Sequence, residues 1–167
     1  MSPRVDHHVA LRVSDMDAAI RFWAEALDAR VATAPVLRGG SYFDAMFGPG
    51  ARVKVAHLVL DGGSVELFEF VEPRRAVPPS DQTGDGLMHV GVRVDDAPAT
   101  LRRIEAAGGR AIMPVSHMQD RPENPRFCYC VTPDGHVIEL LECDHPQIVR
   151  QIIEAIPEAA PERYRPA

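Results

Sequence analysis

Positive charge, cysteine and long apolar runs are all scarce in this chain. Its 167 residues carry 18 Lys and Arg against 24 Asp and Glu, a formal net charge of −6. A nucleic-acid binder usually presents a basic face, so that class is excluded. No apolar run approaches the roughly 18 residues of a membrane span, and no charged-then-apolar leader opens the chain. A cytoplasmic protein without a membrane partner is expected. The three cysteines, Cys128, Cys130 and Cys143, make no disulfide framework. Cys128 and Cys130 stand on one expected strand and are expected to face opposite ways, so that they do not grip a metal together.

What the chain does have is a stretch that occurs twice. His8-Val9-Ala10-Leu11-Arg12-Val13-Ser14-Asp15 is matched by His89-Val90-Gly91-Val92-Arg93-Val94-Asp95-Asp96. Each copy reads as a strand, 5–13 and 87–94, with its histidine, a small residue and an arginine on one face and three aliphatic residues on the other. Each runs into a capped amphipathic helix. Ser14 or Asp15 caps the first, whose stripe is Met16, Ala19, Ile20, Trp23 and Leu27. Asp96 caps the second, with Pro98 in its first turn and Gly108-Gly109 at its end.

After the first helix, 30–37 reads as a strand and 41–50 as a loop or short helical turn carrying Tyr42, Phe43 and Phe47. That aromatic segment is expected to be either a lid over a pocket or a plug on its rim. Strands 53–60 and 64–71 form a hairpin about Asp61-Gly62-Gly63. In the second copy the corresponding strands are 111–115, 127–131 and 137–143, the last two joined by Thr132-Pro133-Asp134-Gly135. Glu66-Leu67-Phe68-Glu69 matches Glu139-Leu140-Leu141-Glu142. The expected fold is therefore α+β, two tandem βαβββ modules forming an open, bowl-like mixed sheet around a metal site. Residues 1–71 make the first module and 72–86 a Pro- and Gly-rich linker. Residues 87–143 make the second module, and 144–167 a C-terminal helix and tail.

Four residues recur as duplicated pairs on strands: His8 with Glu66, and His89 with Glu139. A mid-strand carboxylate among apolar neighbours is costly unless paired or metal-bound. Two imidazoles and two carboxylates suit one divalent ion such as Mn, Fe, Co, Ni or Zn, with positions left for water or substrate.

The ordered set of His8 with its strand, Val65-Glu66-Leu67, His89-Val90-Gly91-Val92, and Pro133-Asp134-Gly135 before Ile138-Glu139-Leu140 resembles the vicinal oxygen chelate superfamily. That superfamily takes in glyoxalase I, methylmalonyl-CoA epimerase, extradiol dioxygenases and bleomycin-resistance proteins. The resemblance implies His8, Glu66, His89 and Glu139 as metal ligands. It also implies a reaction in which the ion stabilises charge on vicinal substrate oxygens. Extradiol dioxygenases use two histidines and one glutamate, so Glu66 points away from oxygenation. Bleomycin-resistance members lack the metal set. Glyoxalase I has a glutathione-binding arginine matched by Arg12, but Phe70 stands where it has an asparagine.

The expected function is thus a metal-dependent isomerase or epimerase that moves a proton next to a carbonyl through a metal-stabilised enolate, with Glu66 and Glu139 as acid-base groups. A glyoxalase I-like lyase, a dioxygenase of the superfamily and a non-enzymatic small-molecule binder are the alternatives. Arg12, Tyr42, His57, Phe70, Arg93 and Tyr129 are the candidate pocket residues, the substrate is a small carbonyl compound, and a homodimer is expected.

Overall fold

A computed structural model describes residues 8–74 and 86–163. Its elements are β1 (Val9–Arg12), α1 (Met16–Leu27), β2 (Arg30–Arg38), α2 (Ser41–Phe47), β3 (Arg52–Leu60) and β4 (Gly63–Glu72). There follow β5 (Val90–Arg93), α3 (Ala97–Ala106), β6 (Arg110–Ala111), β7 (Ser116–His117), β8 (Arg126–Val131), β9 (Val137–Leu141) and α4 (His145–Ala155). The strands form two open mixed sheets. One runs β1-β4-β3-β2 and the other β5-β9-β8-β6, with β7 also paired to β8. In each the first strand lies parallel to the last and at the sheet edge. The α+β architecture read from the duplicated sequence is the one observed. Residues 75–85 of the expected linker and residues 5–7 of the first expected strand lie outside the described residues. No helix among the described residues is long and apolar enough to cross a membrane.

Period-two alternation sorts the strand residues into two faces. Leu11, Val65 and Leu67 from the first sheet, and Cys128, Cys130, Ile138 and Leu140 from the second, join α1 and α3 in one core. Trp23 and Met16 of α1 are 2% and 1% exposed, so both belong to that core. Burying a side chain of this size stabilises the fold by about 1.5–3 kcal/mol. The two sheets thus share a core through their helix-bearing faces.

The helices start where capping chemistry starts them. Asp15 accepts from the Ala18 N–H at 2.9 Å and Asp96 from the Ala99 N–H at 3.0 Å. A second carboxylate docks each helix from the sheet. Glu69 accepts from the Met16 N–H at 3.0 Å and pairs with Lys54, and Glu142 accepts from the Ala97 N–H at 2.7 Å and pairs with Arg126. At its far end α1 closes on Asp28 in the left-handed region, φ 56°. Arg103 of α3 forks there onto the Asp28 carboxylate and the Glu25 carbonyl, tying the helices together. The sheets are also tied by Ser14, which donates to Asp134 at 2.7 Å, and His136, whose Nε2 lies 2.6 Å from the Arg12 carbonyl.

Three local expectations need correction. The strand expected at 111–115 is interrupted between β6 and β7. The Ile112 and Met113 N–H groups both donate to the Tyr129 carbonyl, at 2.8 and 3.4 Å, so one residue is bulged out, and Pro114 then lacks a donor to resume the ladder. The strand expected from Leu87 begins only at Val90. Cys128 and Cys130, expected to face opposite ways, are two residues apart on β8 and both turn into the same core, 0% exposed, because strand side chains repeat with period two.

Candidate functional site

The faces turned away from the shared core carry the duplicated His–Glu pairs. Parity puts Glu66 opposite in direction to Val65 and Leu67, and Glu139 opposite to Ile138 and Leu140. In the first sheet Ala10, Glu66 and His57 stand in one cross-strand row. His8, just before β1, brings its Nε2 to 3.3 Å from Glu66 Oε2, and His57 brings its Nε2 to 3.4 Å from Oε1. Each oxygen of this carboxylate, whose side chain is 16% exposed, therefore faces one imidazole.

The second sheet repeats the plan. Gly91, Glu139 and Tyr129 share a row, and His89 Nε2 lies 3.1 Å from Glu139 Oε2. The Tyr129 ring packs edge-on against His89 with centroids 5.3 Å apart. Burial, aided by a hydrogen bond to Glu139, pushes the Tyr129 hydroxyl up to about 12. Alanine in one row and glycine in the other leave space beside the carboxylates, and among the described residues a Cβ at Gly91 would meet Leu141 Cδ1, at 3.5 Å.

One end of the first pocket is walled by aromatic residues. Phe43 and Phe47 of α2 pack with Phe68 and Phe70 of β4, and the Phe47 and Phe70 centroids are 5.0 Å apart. Tyr42 projects to solvent, 67% exposed. The aromatic segment thus contributes a buried wall and an exposed rim at once. The pocket, about 570 Å³, is lined by His8, Arg12, Tyr42, His57, Glu66 and Phe70 of the sequence-derived set. Arg93 lines a different cleft, between β5 and the turn of the β3–β4 hairpin. Tyr129 stands with His89 and Glu139.

The structure assembles the donors as two pairs, not one cluster. Among the described residues, no group of three or more His, Cys, Asp or Glu side chains is placed to hold a metal ion. The reason is topological, since both glutamates point away from a core that their own sheets share. The donor chemistry nonetheless fits a divalent cation. In each pair an imidazole nitrogen faces a carboxylate oxygen, a place for a proton or for a metal in its stead. His89 Nδ1, moreover, is buried without a hydrogen-bond partner among the described residues.

Glu69 and Glu142 had no assigned role in the sequence reading. They hold helix N-termini, and the signal for them was their matched place three residues after Glu66 and Glu139. The cross-strand partnership of His57 with Glu66 was not visible, because it depends on the hairpin register.

Comparison with known proteins agrees with the fold. The model of the Glyoxalase/Bleomycin resistance protein/Dioxygenase superfamily matches residues 7–140. A 2-epi-5-epi-valiolone epimerase from Actinomyces sp is 30% identical over 143 residues, covering 81% of this chain and 77% of that one. A probable lactoylglutathione lyase from Vibrio parahaemolyticus is 26% identical, covering 81% of this chain and 88% of its own. The solved structure of a glyoxalase family protein from Bacillus cereus superposes with a TM-score of 0.72 at 22% identity, covering 84% of this chain and 95% of that one.

Proposed function

We propose that this chain, which belongs to the Glyoxalase/Bleomycin resistance protein/Dioxygenase superfamily, is a divalent-metal-dependent epimerase or isomerase acting on a small carbonyl compound. The observation that carries this reading is the pair of part-buried carboxylates, Glu66 and Glu139, each facing a histidine Nε2. His8, Glu66, His89 and Glu139 would hold the ion. When bound, it would supply Lewis-acid stabilisation of negative charge on the substrate oxygens. Glu66 and Glu139 then flank the reacting carbon. One takes the α-proton, and the other returns a proton to the opposite face. Positioned acid-base exchange of this kind contributes about 10²–10⁴-fold in rate. Ala10 and Gly91 leave room for the substrate, and the Phe47–Phe70 wall keeps water from one side.

A second copy of the chain completes the site in this reading. The two pairs stay apart within one chain, and both β1 and β5 are sheet edges. A twofold dimer that brings the first module (1–71) of one protomer against the second module (87–143) of its partner unites four ligands at each of two sites.

A lactoylglutathione-type lyase is the second reading, favoured by Arg12 in the pocket and by the relative from Vibrio parahaemolyticus. Phe70 weighs against it, because its ring is committed to the apolar wall. The test is α-deuterium incorporation into candidate hydroxyketones and cyclic ketones in D₂O, followed by NMR. Wild type is expected to exchange and Glu139→Gln to lose exchange while staying folded. Exchange at the wild-type rate in Glu139→Gln would refute the acid-base role, and glutathione-dependent consumption of methylglyoxal would select the lyase.

A further inference from the structure

We infer that His57 is a positioning residue that holds Glu66 in its metal-binding orientation. The inference rests on the metal reading above and adds a residue to it. His57 stands directly across from Glu66, β3 to β4, and takes Oε1 while His8 takes Oε2. With an ion in the place between His8 and Oε2, the His57 imidazole beside Oε1 would still restrict the carboxylate's rotation, and fixing a ligand this way is what outer-shell partners do at metal sites. His57 is itself braced. Its backbone N–H donates to Thr33 Oγ1 at 2.9 Å, where the β2–β3 ladder is irregular on both sides. A hydroxyl thus stands in for a carbonyl acceptor between the two places where the strand pairing slips.

The second sheet makes the same provision with different chemistry. Tyr129 occupies the matching cross-strand place, opposite Glu139, with its ring packed against His89. Each glutamate therefore has one neighbour just before the strand parallel to its own and one on the antiparallel strand. The first are the histidine pair, His8 and His89. The second, His57 and Tyr129, share no residue type and keep only a polar hydrogen at one register position. That a donor recurs where the sequence does not argues for a function of the donor. His57 is 40% exposed, so packing does not account for it.

The test is divalent-metal affinity, measured on the full-length protein by competition with a chromophoric chelator using Co(II) and Mn(II). His57→Ala is expected to weaken binding by about 10–100-fold with an unchanged melting temperature. His57→Gln, which keeps an N–H donor, is expected to recover most of the loss. The Co(II) absorption bands of His57→Gln should match those of wild type, since the coordinating atoms are the same. Equal affinity in His57→Ala and wild type would overturn the inference, as would a His57→Gln protein as weak as His57→Ala. Shifted Co(II) bands would make His57 a ligand and overturn its outer role. A wild-type protein that takes up neither ion would refute the metal reading itself, which separates that failure from failure of the His57 role.

Discussion

Two variants that are each unable to bind metal are expected to restore binding when they share a dimer. In one, His8→Ala and Glu66→Ala remove the first pair. In the other, His89→Ala and Glu139→Ala remove the second. The altered side chains lie on faces turned away from the core, so both proteins are expected to fold. A twofold dimer holds two composite sites, each built from the first module of one protomer and the second of its partner. In a mixed dimer one site receives both defects and the other receives none. Differently tagged, coexpressed and doubly purified heterodimers are therefore expected to bind about half the metal of wild type. An unfractionated statistical mixture, half of it heterodimer, is expected to bind about a quarter. Each variant alone should bind none with wild-type affinity. The assay is chelator competition on the purified species, with mass measured by light scattering. Heterodimers that bind nothing, beside a wild type that binds fully, would refute the shared site and place all four ligands within one chain.

Other consequences follow from single residues. A methyl at Gly109 would lie 2.6 Å from Ile104 Cγ2 and 2.8 Å from the Val131 carbonyl. Gly109→Ala should cost about 1–3 kcal/mol and lower the melting temperature by roughly 2–12 °C, whereas Gly63→Ala, which meets nothing within 4 Å among the described residues, should stay within about 0.5 kcal/mol of wild type. Burial by itself would raise the Glu142 carboxyl, but Arg126 and the Ala97 N–H outweigh it and hold the group below its ordinary 4.5. A depressed folded value means stability that is present above 4.5 and lost as pH falls through the folded value. Urea midpoints across that acidic range should accordingly fall more steeply for wild type than for Glu142→Gln, and parallel curves would refute the role. Burial pushes the Cys128 thiol up to about 11 and the Cys130 thiol up to about 12, and raises that of Cys143. All three should resist a disulfide reagent at neutral pH in the native protein and react together once it is denatured.

The duplicated strands were legible because period two is a strict rule. His8 and Glu66 on one side, and Leu11 and Leu67 on the other, follow from counting alone. Helical spacing likewise assigned Trp23 to the core, whereas Cys128 and Cys130, two residues apart, share one face of their strand and not the opposite faces expected. Relations set by register were not legible. Whether His57 or a neighbour faces Glu66 depends on where the β3–β4 hairpin turns, and a shift of one residue would reverse every side chain. Parity put Glu69 on the helix side, but it does not say that the Met16 N–H waits there. The break at Pro114 was visible as a residue without a donor, yet the alternation around it imitates a continuous strand. The separation of the two His–Glu pairs follows from how α1 and α3 meet, and the Arg103–Asp28 contact that joins them links groups far apart in the chain. Sequence pattern thus named the donors within each unit, and the packing between units decides where they meet.

The most direct test of the four-ligand centre is metal content. Wild-type protein loaded with Mn(II), Co(II) or Zn(II) and freed of excess should hold about one ion per chain by elemental analysis, the ratio a twofold dimer with two composite sites requires. Each of His8→Ala, Glu66→Ala, His89→Ala and Glu139→Ala should lower that occupancy while leaving the fold unchanged by circular dichroism. A wild-type protein that retains no ion, or one whose occupancy is the same after removal of His89 or Glu139, would contradict the shared centre.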